Sequence, residues 1–224
     1  MKKLMMLAAM MMAVVTANAQ HDAGTITIQP KIGGIISWVS NTPSLDLGTE
    51  IKLDKSVTAG ALIGAEFEYQ VSNLISVAAG LNYSLQGGGW SNYSEQIGGT
   101  KIEIKDTRME LGYITLPVVA NFYLFKGFAV KAGVQFGFLT NANLKSTIEV
   151  GKRKVDLDES FTSECNKVDV SIPFGVSYEL SNVPVVIDMR YNLGLTKINK
   201  ESEPGYKDIK NNVIQVTAGY KFTL

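Results

Sequence analysis

The side chains that could carry out a reaction are few and stand far apart. The only histidine is His21 and the only cysteine is Cys165. A nucleophile needs a base beside it, and a metal site needs several converging ligands. Cys165 follows Glu164 in a polar stretch with no histidine or second cysteine nearby, so no thiolate chemistry or metal centre is expected there. Gly87-Gly88-Gly89 and Gly98-Gly99 neither open a helical pattern nor precede a Lys-Ser/Thr pair. They read as mobile surface loop and not as a phosphate cradle. Catalytic, cofactor-binding and metal-ligating residues are therefore all read as none, and the chain is not read as an enzyme.

What remains is ionic. Lys31, Glu66, Glu68, Lys131, Glu179, Asp188, Arg190 and Lys221 form a balanced set of four acids and four bases. Each falls on the polar side of a segment in which apolar and polar residues alternate.

Those segments are the elements that must position the charges. Ile75, Val77, Ala79, Leu81, Tyr83 and Leu85 alternate with Ser76, Ala78, Gly80, Asn82, Ser84 and Gln86. The same period of two runs through 128–138, 168–180, 185–196 and 214–224, and more weakly through 29–39, 57–70 and 109–124. Strand side chains point alternately to two faces, so eight strands are expected, each with one apolar and one polar-or-small face. The clear segments run to roughly 11–14 residues against a usual mode of about 5–6. A tilted membrane strand needs about 9–11 residues. None of the five clear apolar faces carries a charge. Val71 to Leu74, Phe125 to Gly127 and Ser181 to Pro184 are tight turns, whereas 40–56, 87–108, 141–167 and 197–211 are long and polar. Short periplasmic turns and long outer loops belong to membrane barrels. Trp38 marks one rim, and Phe67, Tyr69, Phe122, Phe128, Tyr178, Tyr220 and Phe222 mark the other, as interfacial girdles do. The expected fold is all-β: an eight-stranded antiparallel transmembrane up-and-down β-barrel.

An eight-stranded barrel has an interior just wide enough for side chains to fill. A charge facing that interior must be paired and hydrogen-bonded. The eight charges thus read as a structural lumen cluster that plugs the barrel, with a proton or ion path as the alternative. Lys31 with Glu66, Lys131 with Glu179, and Asp188 with Lys221 lie on neighbouring strands with opposite charges and are expected to meet along the wall. Barrel enzymes that deacylate or transfer lipid chains need a base in the wall, and His21 lies outside every strand. Pro117 and Pro173 fall inside strands, where proline cannot donate to the ladder, and are read as bulges or bends. Thr147 to Leu157 reads as a hairpin beyond the membrane, and Ile102-Glu103-Ile104 as an outward extension of the fourth strand. Such protruding strands can take partners on their open edges, although ordinary long loops are the alternative.

The N-terminus adds the compartment. Lys2 and Lys3 precede an apolar run from Leu4 to Val15, and Ala17-Asn18-Ala19 gives a small-x-small cleavage pattern. Residues 1–19 read as a signal peptide, leaving 20–224 as the barrel domain. The formal net charge of zero offers no footprint for nucleic acid. The expected setting is the outer membrane of a Gram-negative bacterium, in contact with its lipid.

The run Leu111-Gly112-Tyr113-Ile114-Thr115-Leu116-Pro117-Val118-Val119, the Phe-Lys-Gly turn and the glycine-rich strand after it resemble the PorT-type outer-membrane barrels of Bacteroidota. So do Arg190-Tyr191-Asn192-Leu193-Gly194-Leu195 and the ending Gly219-Tyr220-Lys221-Phe222. The resemblance spans the mature chain and implies location and topology. It adds a subunit of an envelope secretion machine to the two other readings, a surface barrel whose loops bind a partner and a narrow solute channel.

Overall fold

The computed structural model describes residues 22–40, 45–46, 50–51, 54–97, 100–151, 153–200 and 208–224. The signal peptide, its cleavage point, His21 and Gly98-Gly99 lie outside them. Eight strands build the wall: β1 (Ile26–Val39), β2 (Thr58–Ser72), β3 (Ile75–Trp90), β4 (Thr100–Phe125), β5 (Phe128–Val150), β6 (Val168–Glu179), β7 (Val185–Gly194) and β8 (Asn211–Tyr220). Each pairs antiparallel with the next, and β8 pairs β1 from Lys31↔Gly219 to Val39↔Asn211, so the sheet closes into a ring. Closure removes the unpaired edge that lipid cannot hydrogen-bond. After β8 the chain adds Phe222–Thr223 to the start of β1.

Alternation decides the faces. Ser76, Ala78, Asn82, Ser84 and Gln86 of β3 are buried inside, while Val77, Leu81 and Leu85 project outward, Leu81 58% exposed. Ile32 at 63% and Ile63 at 60% continue the belt on β1 and β2. In water this belt would far exceed the few hundred Å² of contiguous apolar surface a soluble monomer shows. Against acyl chains it is the required surface. Aromatic rings stack at both rims: Trp38 on Tyr191, with centroids 5.8 Å apart, and Phe125 on Phe128, 4.7 Å apart.

The long-loop end departs from the expected strand limits. β4 and β5 run to 26 and 23 residues, about twice what a tilted membrane strand needs. They leave the belt at an irregularity where Gly112 pairs Asn141 and Tyr113 pairs Leu139, with Thr140 as the extra residue. Beyond it, Tyr93–Ile97 pairs β4 and Arg153–Ser160 pairs β5, giving a four-stranded outer sheet. The hairpin of 147–157 and the extension at Ile102 to Ile104 are both part of this sheet.

Two expectations are corrected. Gly87 to Gly89 are not loop: they pair Glu110, Met109 and Arg108 inside β3. Gly87 takes φ +147°, and a Cβ there would lie 1.8 Å from the Met109 carbonyl oxygen, so glycine answers a close strand approach. Pro117 and Pro173 are not bulges. Pairing on one side of each lapses, from Ala79↔Val118 to Asn82↔Thr115 and from Ser171↔Gln135 to Phe174↔Ala132, but the register on both sides of the gap is the same. Both rings are fully buried in the lumen, so proline there exchanges one ladder bond for packing.

Candidate functional site

The lumen is filled in tiers. Nearest the short turns, Glu68 (β2) and Glu179 (β6) share Lys221, each with a carboxylate oxygen 2.9 Å from its ammonium. Glu68 also accepts hydrogen bonds from Asn121 Nδ2 at 2.9 Å and from the Ser76 and Tyr123 hydroxyls. Two residues along β2, on the same face, Glu66 accepts from Lys31 Nζ at 2.6 Å and from Arg190 Nη2 at 2.7 Å. Arg190 Nε donates to Asp188 Oδ1 at 2.7 Å, and Lys131 donates to Asp188 while lying 3.8 Å from Glu66. The upper tier holds three cations and two anions, and the lower one cation and two anions, so the eight charges balance over both. Above them Ile35, Leu62 and Val213 meet as a small apolar layer.

The pairing is not the expected one along the wall. Lys31 does meet its neighbour Glu66, but Lys131 reaches Asp188 and not Glu179, and Lys221 takes Glu68 and Glu179 and not Asp188. Arg190 on β7 crosses the lumen to Glu66 on β2, three strands round the ring. Gly175 explains the room: it stands in register between Lys131 and Arg190 and places no side chain at that level. Strand tilt and stagger then bring distant strands to one height. Seven of the eight residues are at most 7% exposed, and the Glu179 side chain is 12% exposed. Charges this dry are tolerable only because each has at least one counter-ion within ion-pair distance.

A second assembly, at the long-loop end, escaped the sequence reading. Val39, Trp90, Met109, Leu111, Tyr113, Leu139, Cys165 and Ile198 pack together across the mouth, with Phe161 and Ile209 against them. Leu111, Tyr113 and Leu139 were its legible signal, being large apolar residues on a lumen face that is otherwise polar or small. Burial pushes the Cys165 thiol up to about 11, with Glu164 adding to the shift, which leaves the sulfur an apolar wall group. Among the described residues no group of His, Cys, Asp and Glu could hold a metal ion.

A polar-cored, lipid-belted ring of eight strands defines an outer-membrane β-barrel. The chain belongs to the outer membrane protein beta-barrel domain family, whose model matches residues 18–200. No curated protein matches it. Solved structures similar to it include Ail, the attachment invasion locus protein of Yersinia pestis, at 15% identity and a TM-score of 0.44, over 89% of this chain and 99% of that one. Neisserial surface protein A is similar at 14% identity and 0.42, over 88% and 97%. OprG from Pseudomonas aeruginosa is similar at 15% identity and 0.40, over 92% and 99%. At these identities the likeness concerns the fold alone. The setting is the outer membrane of a Gram-negative bacterium.

Proposed function

We propose that the chain is a non-catalytic binding barrel: its lumen is closed by the ion-pair network, and its outer sheet faces outside and presents the binding surface. Export would remove residues 1–19, so the mature protein would begin at Gln20. The observation that carries the reading is the contrast between the two ends. The buried Arg190–Glu66 pair spans the lumen where a solute would have to pass, whereas β4 and β5 continue far past the belt at a cost in chain ordering that the membrane span does not require. The sheet they build is amphipathic. Tyr93, Ile104, Ile148 and Val155 stand in one cross-strand row, while Glu103, Glu149 and Lys154 stand in a row on the other face. Its outer strand, Arg153–Ser160, is exposed at every residue, the condition for strand addition by a partner.

The test joins two measurements on protein purified from the outer membrane. Planar bilayers should show little steady ion conductance, and gentle solubilisation should retain a partner that is lost when Arg153–Ser160 is deleted. A large steady conductance would replace this reading with the solute channel. A stoichiometric partner that survives the deletion would favour the machine-subunit reading.

A further inference from the structure

The mouth assembly encloses a cavity of about 370 Å³, within the range of about 300–1,000 Å³ typical of small-molecule sites. Its lining is mostly apolar, with Trp90, Met109, Leu144 and Phe161 contributing rings and flexible chains. The walls are built and not incidental. The backbone of Asn166 donates to Ile198 O at 2.7 Å and that of Lys200 to Glu164 O at 3.1 Å, while Ile198 donates to Ile209 O at 2.7 Å. The Asn166 side chain ties the same two segments through the Lys197 and Asn199 carbonyls at 2.9 and 3.1 Å. Leu144 stands on the same face of β5 as Ile148, so the apolar side of the outer sheet runs down into the cavity.

Two acidic residues, Glu159 and Glu164, are among those that line this apolar space, and both are exposed at its margin. Among the described residues neither has an ion-pair partner. On the outer sheet's charged face the carboxylates are matched: Glu103 with Lys101 and Lys105, Glu110 with Arg108 and Lys145, Glu149 with Lys105, and Asp156 with Lys154. From this contrast we infer that the cavity takes a small amphipathic cation, its apolar body against Trp90, Met109, Leu144 and Phe161 and its ammonium or guanidinium at Glu159 and Glu164. Aromatic faces favour a cation close by, and an apolar body supplies the burial that surface carboxylates alone cannot. Liquid water occupies about 30 Å³ per molecule, so the cavity has room for roughly a dozen non-hydrogen atoms.

The experiment uses full-length mature protein in lipid nanodiscs with Trp38→Phe, leaving Trp90 as the fluorescent reporter. Three probes of one shape are titrated: 4-phenylbutylammonium, 4-phenylbutanol and 4-phenylbutyrate. Saturable quenching or shift of Trp90 by the ammonium is expected, at least tenfold weaker with the alcohol and undetectable with the carboxylate. Glu159→Gln with Glu164→Gln should weaken the ammonium at least tenfold and leave the alcohol unchanged. These are exposed positions, and heat-modifiable gel migration confirms that the variant is folded. Equal affinity for all three probes, meaning partition into lipid, overturns the inference. So does an ammonium affinity unaffected by the double variant. No saturable change also overturns it.

Discussion

Arg190 is the side chain on which the lumen network turns, since its guanidinium joins the carboxylates of Glu66 and Asp188 at 2.7 Å each. Removing one partner of a buried pair leaves the other uncompensated, at about 3–5 kcal/mol. Arg190→Ala should therefore lower unfolding stability in lipid vesicles by that amount. Arg108→Ala should change it by about 0–1 kcal/mol, because the Arg108–Glu110 pair is largely exposed. An Arg190→Ala barrel as stable as the parent would mean that water reaches Glu66. Cys165 gives a second residue-scale expectation. With its thiol raised to about 11 by burial, maleimide labelling at neutral pH should be slow and should speed as pH rises towards that value. Rapid labelling at pH 7 would contradict the burial of the thiol.

At the scale of elements, the outer sheet should be the pH-sensitive part outside the membrane. Lys101 and then Lys105 hold the Glu103 carboxyl below its ordinary value of 4.5, and Lys145 and then Arg108 do the same for Glu110. A carboxyl whose folded value is depressed contributes stability that is present above its unfolded value and is lost as pH falls through the folded one. Amide protection factors, taken relative to the intrinsic rate at each pH, should accordingly fall in the outer parts of β4 and β5 as pH drops below 4.5, while amides in the belt keep their protection. Uniform loss of protection along both strands would refute a separate outer element. The outer sheet was half legible in sequence. Alternation through Thr147 to Leu157 announces a hairpin, but nothing local tells that its partner is the outer half of β4, because that pairing spans distant residues such as Glu103↔Glu149.

At the scale of the molecule, orientation follows from the asymmetry of the two ends. Trypsin added to sealed cells should cut at Arg153 or Lys154 in the exposed outer strand and spare Lys126 in the Phe125–Phe128 turn. Cleavage at Lys126 alone would invert the barrel and place the outer sheet and mouth cavity on the periplasmic side.

The sequence by itself determined which face of each strand meets lipid, because a period of two admits only two assignments and a charge on the lipid side is prohibitive. Strand number, the short turns and the inward direction of Lys31, Glu66, Glu68, Lys131, Glu179, Asp188, Arg190 and Lys221 all come from that period. Tertiary structure alone decided which charges meet. Parity fixes a side chain's face, but not its height in the barrel, which depends on strand tilt, stagger and the irregularities between paired strands. That is why Arg190 finds Glu66 across the lumen, and why Asp188 finds Lys131 and not Lys221 on the adjoining strand. The mouth cavity was hidden for the same reason: Trp90, Leu144, Cys165 and Ile198 come from four separate stretches, and only ring closure brings them together.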